Sequence, residues 1–172
     1  MIFDAVFNDL RGIDPFVRQG WARVFLPDSH HMPEKYFRSL QIAATATNET
    51  KAFCRIVACG DETPFEISLS NQTEFIDSLL KQGGGIADSD EYLIASEKAL
   101  WGIWSDGNNA AILACEMTFY KAFILAFGGA DALNENCDRY LATFGYTLNA
   151  EFVSFIRNFP RLNKWDQTLE VN

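Results

Sequence analysis

The sequence predicts an α+β fold: an antiparallel sheet of about five to six strands, drawn from residues 41–69 and 91–115, packed by helices from the N-terminus, 71–82 and 116–159. Three observations predict it. Glu91 to Cys115, EYLIASEKALWGIWSDGNNAAILAC, is a series of short apolar runs broken by Ser96-Glu97-Lys98 and by Ser105-Asp106-Gly107-Asn108, the pattern of a strand meander. A second group of β-rich runs lies between residues 41 and 69, and apolar residues at helical spacing fill the chain after residue 116. Strands and helices in separate blocks indicate α+β rather than a parallel α/β sheet.

In chain order, Ile2, Phe3, Val6, Phe7 and Leu10 fall at helical spacing, so a short amphipathic helix is expected there, stopped by Gly12. Asp14-Pro15 offers a fresh helix start, a capping acid followed by Pro at the first helical position, with Phe16, Val17 and Trp21 as its apolar stripe. Arg23–Leu26 reads equally as helix or strand. Pro27 to Pro33 is a loop by composition, and Pro33-Glu34-Lys35-Tyr36-Phe37 can open a helical turn. Gln41–Thr47, Phe53–Cys59 and Phe65–Leu69 are expected as sequential antiparallel strands; in the last, Phe65, Ile67 and Leu69 alternate with polar residues. Asn71 and Glu74 resemble a capping box opening a helix through Phe75, Ile76, Leu79 and Leu80, ended by Gly83-Gly84-Gly85.

In the meander, Trp101 and Trp104 are three apart, so on a strand they face opposite sides: one enters the core, and the other covers the second face or an edge. Asp106-Gly107 supplies the positive φ of a hairpin turn. Beyond it, Phe119, Tyr120, Phe123, Ile124 and Phe127 form one helical stripe closed by Gly128-Gly129. Leu133, Cys137, Tyr140, Leu141 and Phe144 form a second, up to Gly145. Asn149 caps a third segment carrying Phe152, Phe155, Ile156 and Phe159, which stops at Pro160. Residues 161–172 are expected as a surface tail, which Trp165 could pin.

The 172 residues suffice for a single globular domain, and a chain of this size buries roughly 70% of the surface exposed by its unfolded form. The 15 Phe residues supply large apolar area with no polar atom to satisfy, which suits a Phe-rich core; the other reading is a flat aromatic recognition surface. A net charge of −9 argues against nucleic-acid binding and against adhesion to anionic membranes. The acids concentrate between Asp88 and Asp138, where Lys98 and Lys121 are the basic residues. Such a face steers a basic partner, or simply keeps the chain soluble. No leader is visible at Met1-Ile2-Phe3-Asp4, and the apolar stretch at Ala122–Phe127 is too short for a bilayer, so a cytoplasmic protein is expected.

Chemistry-bearing motifs are sparse. Cys54, Cys59, Cys115 and Cys137 lack the spacing of a zinc knuckle and are expected as small buried thiols. His30-His31 is read as exposed loop, with no spaced acid beside it to make a metal site. Nothing resembles a nucleophile elbow or a calcium hand, so no catalytic residue, metal ligand or cofactor is assigned. The paired acids Asp61/Glu62 and Asp88/Asp90/Glu91 are expected as solvated loop ends.

A compact, acidic α+β chain with a Trp-containing hairpin, here ALWGIWSDGNNAAILAC, resembles the immunity proteins of bacterial contact-dependent and polymorphic toxin systems. The resemblance lies in size, charge and type over the 91–115 meander, and carries no diagnostic residue. It implies stoichiometric binding of a cognate toxin domain, with acidic positions around the meander (Asp88, Asp90, Glu91 and Asp106) docked against a basic cleft. Two other classes stay open: a small enzyme with a site assembled from scattered residues, and an adaptor or structural subunit that uses exposed aromatics and forms a homo-oligomer.

Overall fold

The computed structural model describes residues 2–8, 14–27, 32–57, 63–82, 91–106 and 110–159. Six strands, β1 (Ala22–Pro27), β2 (Lys51–Ile56), β3 (Phe65–Ser68), β4 (Tyr92–Ser96), β5 (Trp101–Ser105) and β6 (Ala110–Cys115), form one sheet in the order β1-β6-β5-β4-β2-β3. Every neighbouring pair is antiparallel. The helices are α1 (Glu34–Ala46), α2 (Gln72–Gln82), α3 (Met117–Phe127), α4 (Ala130–Phe144) and α5 (Ala150–Arg157). The α+β architecture is thus the one the sequence predicts, and its layering follows from strand alternation. On one face, Tyr92, Ile94, Trp101, Ile103 and Leu113 pack under α1, α2 and α3. On the other, Leu93, Ala95, Ile112 and Phe25 pack under the N-terminal segment, α4 and α5. Coverage of both faces explains why β4 and β6 are buried at every position.

Three local expectations are corrected. Residues 41–46 are not a strand but the second half of α1. Tyr36, Phe37, Leu40, Ala43 and Ala44 make one buried helical stripe, and Thr45 and Thr47 turn their hydroxyls back onto the carbonyls of Gln41 (2.8 Å) and Ala44 (3.0 Å). Threonine's reluctance in a helix costs about 0.5 kcal/mol per residue, against roughly 2 kcal/mol for each large side chain the stripe buries. The helix ends where Asn48 turns left-handed at φ 57°: the Glu49 amide donates to Ala44 O and the Asn48 amide to Thr45 O, a Schellman closure with Asn in glycine's place.

The N-terminal helix is replaced by a single 3-10 turn at Phe3–Ala5, after which Phe7 pairs antiparallel with Phe16. The Asn8 amide donates to Pro15 O and the Val17 amide to Val6 O. An isolated helix of this length is marginal in water, so the packing of Phe3, Val6, Phe7 and Phe16 on the sheet decides the backbone. Asp14 does accept the amide of Phe16, as a cap would, at 3.2 Å. No helix follows, because the backbone of Phe16 and Val17 is paired with Phe7 and Val6; the Asp14 carboxylate also pairs with Arg23 of β1 at 3.0 Å. Arg23, 2% exposed, further donates to Trp21 O and Arg18 O, which fixes this entry turn onto β1. The stretch that read equally as helix or strand is therefore strand β1, an edge of the sheet paired with β6.

Expectations placed on residues 83–85, on Gly107, on Cys59 and on the tail 161–172 lie outside the described residues. The helix after Asn71 forms as expected, with the Glu74 amide donating to Asn71 Oδ1 at 2.8 Å. Among the described residues no helix is long and apolar enough to cross a membrane.

Candidate partner-binding surface

Strand register brings two of the four expected acidic site residues together. Tyr92 pairs with Ser105, so Glu91 and Asp106, one step beyond, flank the same end of the β4–β5 pair. The Val57 amide donates to Glu91 O and the Asp106 amide to Ala110 O, so this end runs continuously from β2 to β6. Pro27 at the end of β1 pairs with Ala110 and joins the same rim. Asp88 and Asp90 lie outside the described residues, as do His30, His31, Asp61 and Glu62.

The two tryptophans face opposite sides, as expected. Trp101 is fully buried on the first face and stacks on Phe119 at 5.2 Å. Trp104 is half-buried on the second face, edge-on to Phe152 of α5 at 5.9 Å. Its indole Nε1 donates to Glu91 Oε1 at 2.6 Å, a charge-assisted bond across neighbouring strands. Glu91 therefore orients Trp104 as well as contributing charge. Asp106 accepts the Ala110 amide at 3.3 Å, which ties its carboxylate to the β5–β6 connection. Phe53, Arg55 and Val57 of the β2 side complete the half-buried second face, with the Arg55 guanidinium 4.9 Å from the Phe3 ring. Aromatic and aliphatic surface, one ordered Trp and a carboxylate rim are the ingredients of an interface centre.

The opposite end of the sheet holds a group that sequence reasoning passed over. Glu49, 2% exposed, accepts Trp101 Nε1 (2.9 Å), Thr47 Oγ1 (2.9 Å) and the Lys98 amide (3.0 Å). Lys98 Nζ returns to Thr47 O and Asn48 O. This is a satisfied buried carboxylate that joins the end of α1 to the β4–β5 turn.

The thiols of Cys54 and Cys115 are buried in the core, and Cys137 is half-buried. Desolvation pushes all three upward in pKa, Cys137 to about 12, so none is an activated nucleophile. A cavity of about 260 Å³ lies between β1, α4 and α5, with Arg23, Asn134, Cys137 and Arg157 among its lining residues and Phe25, Leu133 and Ile156 as apolar wall. Among the described residues no group of three or more His, Cys, Asp or Glu side chains is placed to hold a metal ion. Comparison with protein-family models, with curated proteins and with solved structures found no match.

Proposed function

We propose that this chain is a binding protein that occupies a basic surface of a partner protein, and that the partner is a cognate toxin domain which it neutralises as an immunity protein. The observation that carries the reading is the placement of Glu91 and Asp106 at one sheet end, beside a half-buried Trp104 that Glu91 holds in a fixed orientation. An aromatic side chain already ordered before contact loses little entropy on binding, and the acids around it steer a cationic partner. Asp90 precedes Glu91 directly in sequence and Asp88 lies two residues before that, so four carboxylates belong to the proposed surface. The net charge of −9 acts in the same direction at longer range.

The test is co-expression with the protein encoded next to this one. If that neighbour carries a toxic C-terminal domain, this chain restores growth and co-purifies with the domain in equal stoichiometry. Growth that stays arrested, with no complex, contradicts the proposal. Turnover of a small substrate by the purified chain, lost on replacing one side chain of the Arg23–Cys137–Arg157 cavity, would favour an enzyme instead.

A further inference from the structure

We propose that the cavity at the outer edge of β1 binds a small α-amino acid with an apolar side chain, held by main-chain hydrogen bonds to Phe25 and by the charges of Arg157 and Asp138. Strand register leaves this edge open. The Asp106 amide donates to Ala110 O and the Glu116 amide to Leu100 O, so alternate residues of β6, Ala110, Ile112 and Ala114, direct their backbone groups to β5. Ala111, Leu113 and Cys115 therefore bond to β1, through Leu26, Val24 and Ala22. Alternation turns the N–H and C=O of Arg23 and Phe25 the other way, off the sheet. The cavity of about 260 Å³ lies against that edge: three successive strand residues, Arg23, Val24 and Phe25, line it, with α3 contributing Tyr120 and the rest coming from α4, α5 and the residues beside them. Phe25 is 4% exposed, and among the described residues neither its N–H nor its C=O has a hydrogen-bond partner. A buried main-chain donor and acceptor facing a cavity cost free energy unless something inside the cavity meets them.

Shape and charge limit what that can be. β1 is buried at all six positions, and Pro27 has no N–H to offer, so the edge cannot take a full strand as an open sheet edge does. The cavity is smaller than the pockets that hold drug-sized ligands and leaves room for about one residue. An α-amino acid carries a donor and an acceptor on either side of one carbon, as a strand residue does, and so can exchange both bonds with Phe25. Asp138 of α4 and Arg157 of α5 line the same cavity at exposed positions, and among the described residues neither is in an ion pair. After burial itself, these two charges are what act on the Cys137 thiol, in opposite senses, so both lie near it. Opposite charges held apart around one cavity suit a zwitterion, its carboxylate toward Arg157 and its ammonium toward Asp138. Arg23, the other cation of the lining, is committed to Asp14. Leu133, Ile156 and Phe159 supply a buried apolar wall for the side chain.

Titration of L-leucine into the full chain, followed by calorimetry and by heteronuclear NMR, tests this. Saturable one-to-one binding is expected, with the Phe25 amide shifting and gaining protection from exchange. Isocaproate, which lacks the ammonium, and isoamylamine, which lacks the carboxylate, should each bind about tenfold or more weakly than leucine. Arg157→Gln should weaken leucine by a similar factor, and Asp138→Asn should weaken leucine without weakening isocaproate. Both substitutions are at exposed positions, so the circular dichroism spectrum should not change. No binding at millimolar leucine, the result for a cavity that holds water alone, would overturn the proposal. So would binding that leaves the Phe25 amide unmoved, or an affinity indifferent to both substitutions. Neither Glu91 nor Asp106 lines the cavity, so the outcome is independent of the partner-binding surface.

Discussion

Single residues hold the contacts on which the rest depends. Gly102 lies on β5 where the N-terminal segment crosses the sheet: an added Cβ would meet Val6 Cγ1 at 2.4 Å and the Ile94 carbonyl at 3.1 Å. Gly102→Ala is expected to cost about 1–3 kcal/mol, measured by urea denaturation, because Val6 is fully buried and has nowhere to move. Glu49→Ala removes the acceptor shared by Trp101, Thr47 and the Lys98 amide. Unsatisfied buried donors make a loss of roughly 3 kcal/mol the expected result, with a change in tryptophan emission. A loss near zero would show that water replaces the carboxylate. The thiols set an alkaline limit. Burial holds Cys137 protonated up to about 12, against 9.0 ordinarily, and shifts Cys54 and Cys115 in the same direction. Below pH 9 both folded and unfolded chains keep these protons, and the thiols add no pH dependence. Above it the unfolded chain loses them first, so stability should fall as pH rises from about 9 toward 12. A Cys54→Ala variant should show a shallower decline, and an equal slope would contradict the assignment.

At the scale of elements, the end of α1 shows what one side chain contributes to a boundary. Asn48 at φ 57° closes the helix, so a β-branched residue there should destabilise by about 1–2 kcal/mol while Asn48→Gly is tolerated; paired thermal melts check the contrast. The same place shows why part of the fold was legible in the sequence and part was not. The meander was legible because its strands are separated by turn residues and alternate between two covered faces. The late helices were legible because their stripes repeat at three and four and are bounded by glycine or by the Asn149 cap. Residues 41–46 misled because β-favouring Ile42 and Thr45 sit on the outer side of a helix whose buried stripe begins earlier, at Tyr36 and Phe37. The N-terminal segment misled because its helical spacing is real, but pairing of Phe7 with Phe16 across the chain outweighs a short local helix. In the candidate surface, the acids were visible as composition. The bond from Trp104 to Glu91 was not, because register decides which carboxylate an indole meets.

For the whole molecule, the sheet acts as a divider. One face is sealed by α1, α2 and α3. The other is covered by the N-terminal segment, α4 and α5, leaving Trp104, Phe53 and Val57 half-buried next to Glu91. Isosteric neutralisation separates charge from architecture at that surface. Glu91→Gln keeps an acceptor for the Trp104 indole and Asp106→Asn keeps one for the Ala110 amide, so the fold should persist while the potential drops. The most direct test is therefore the salt dependence of affinity for the co-purifying partner, compared between the wild type and the combined Asp88→Asn, Asp90→Asn, Glu91→Gln and Asp106→Asn variant. The account predicts affinity about tenfold or more weaker and a flatter dependence on salt for the variant. Equal affinity and an equal slope would place the interface elsewhere on the molecule.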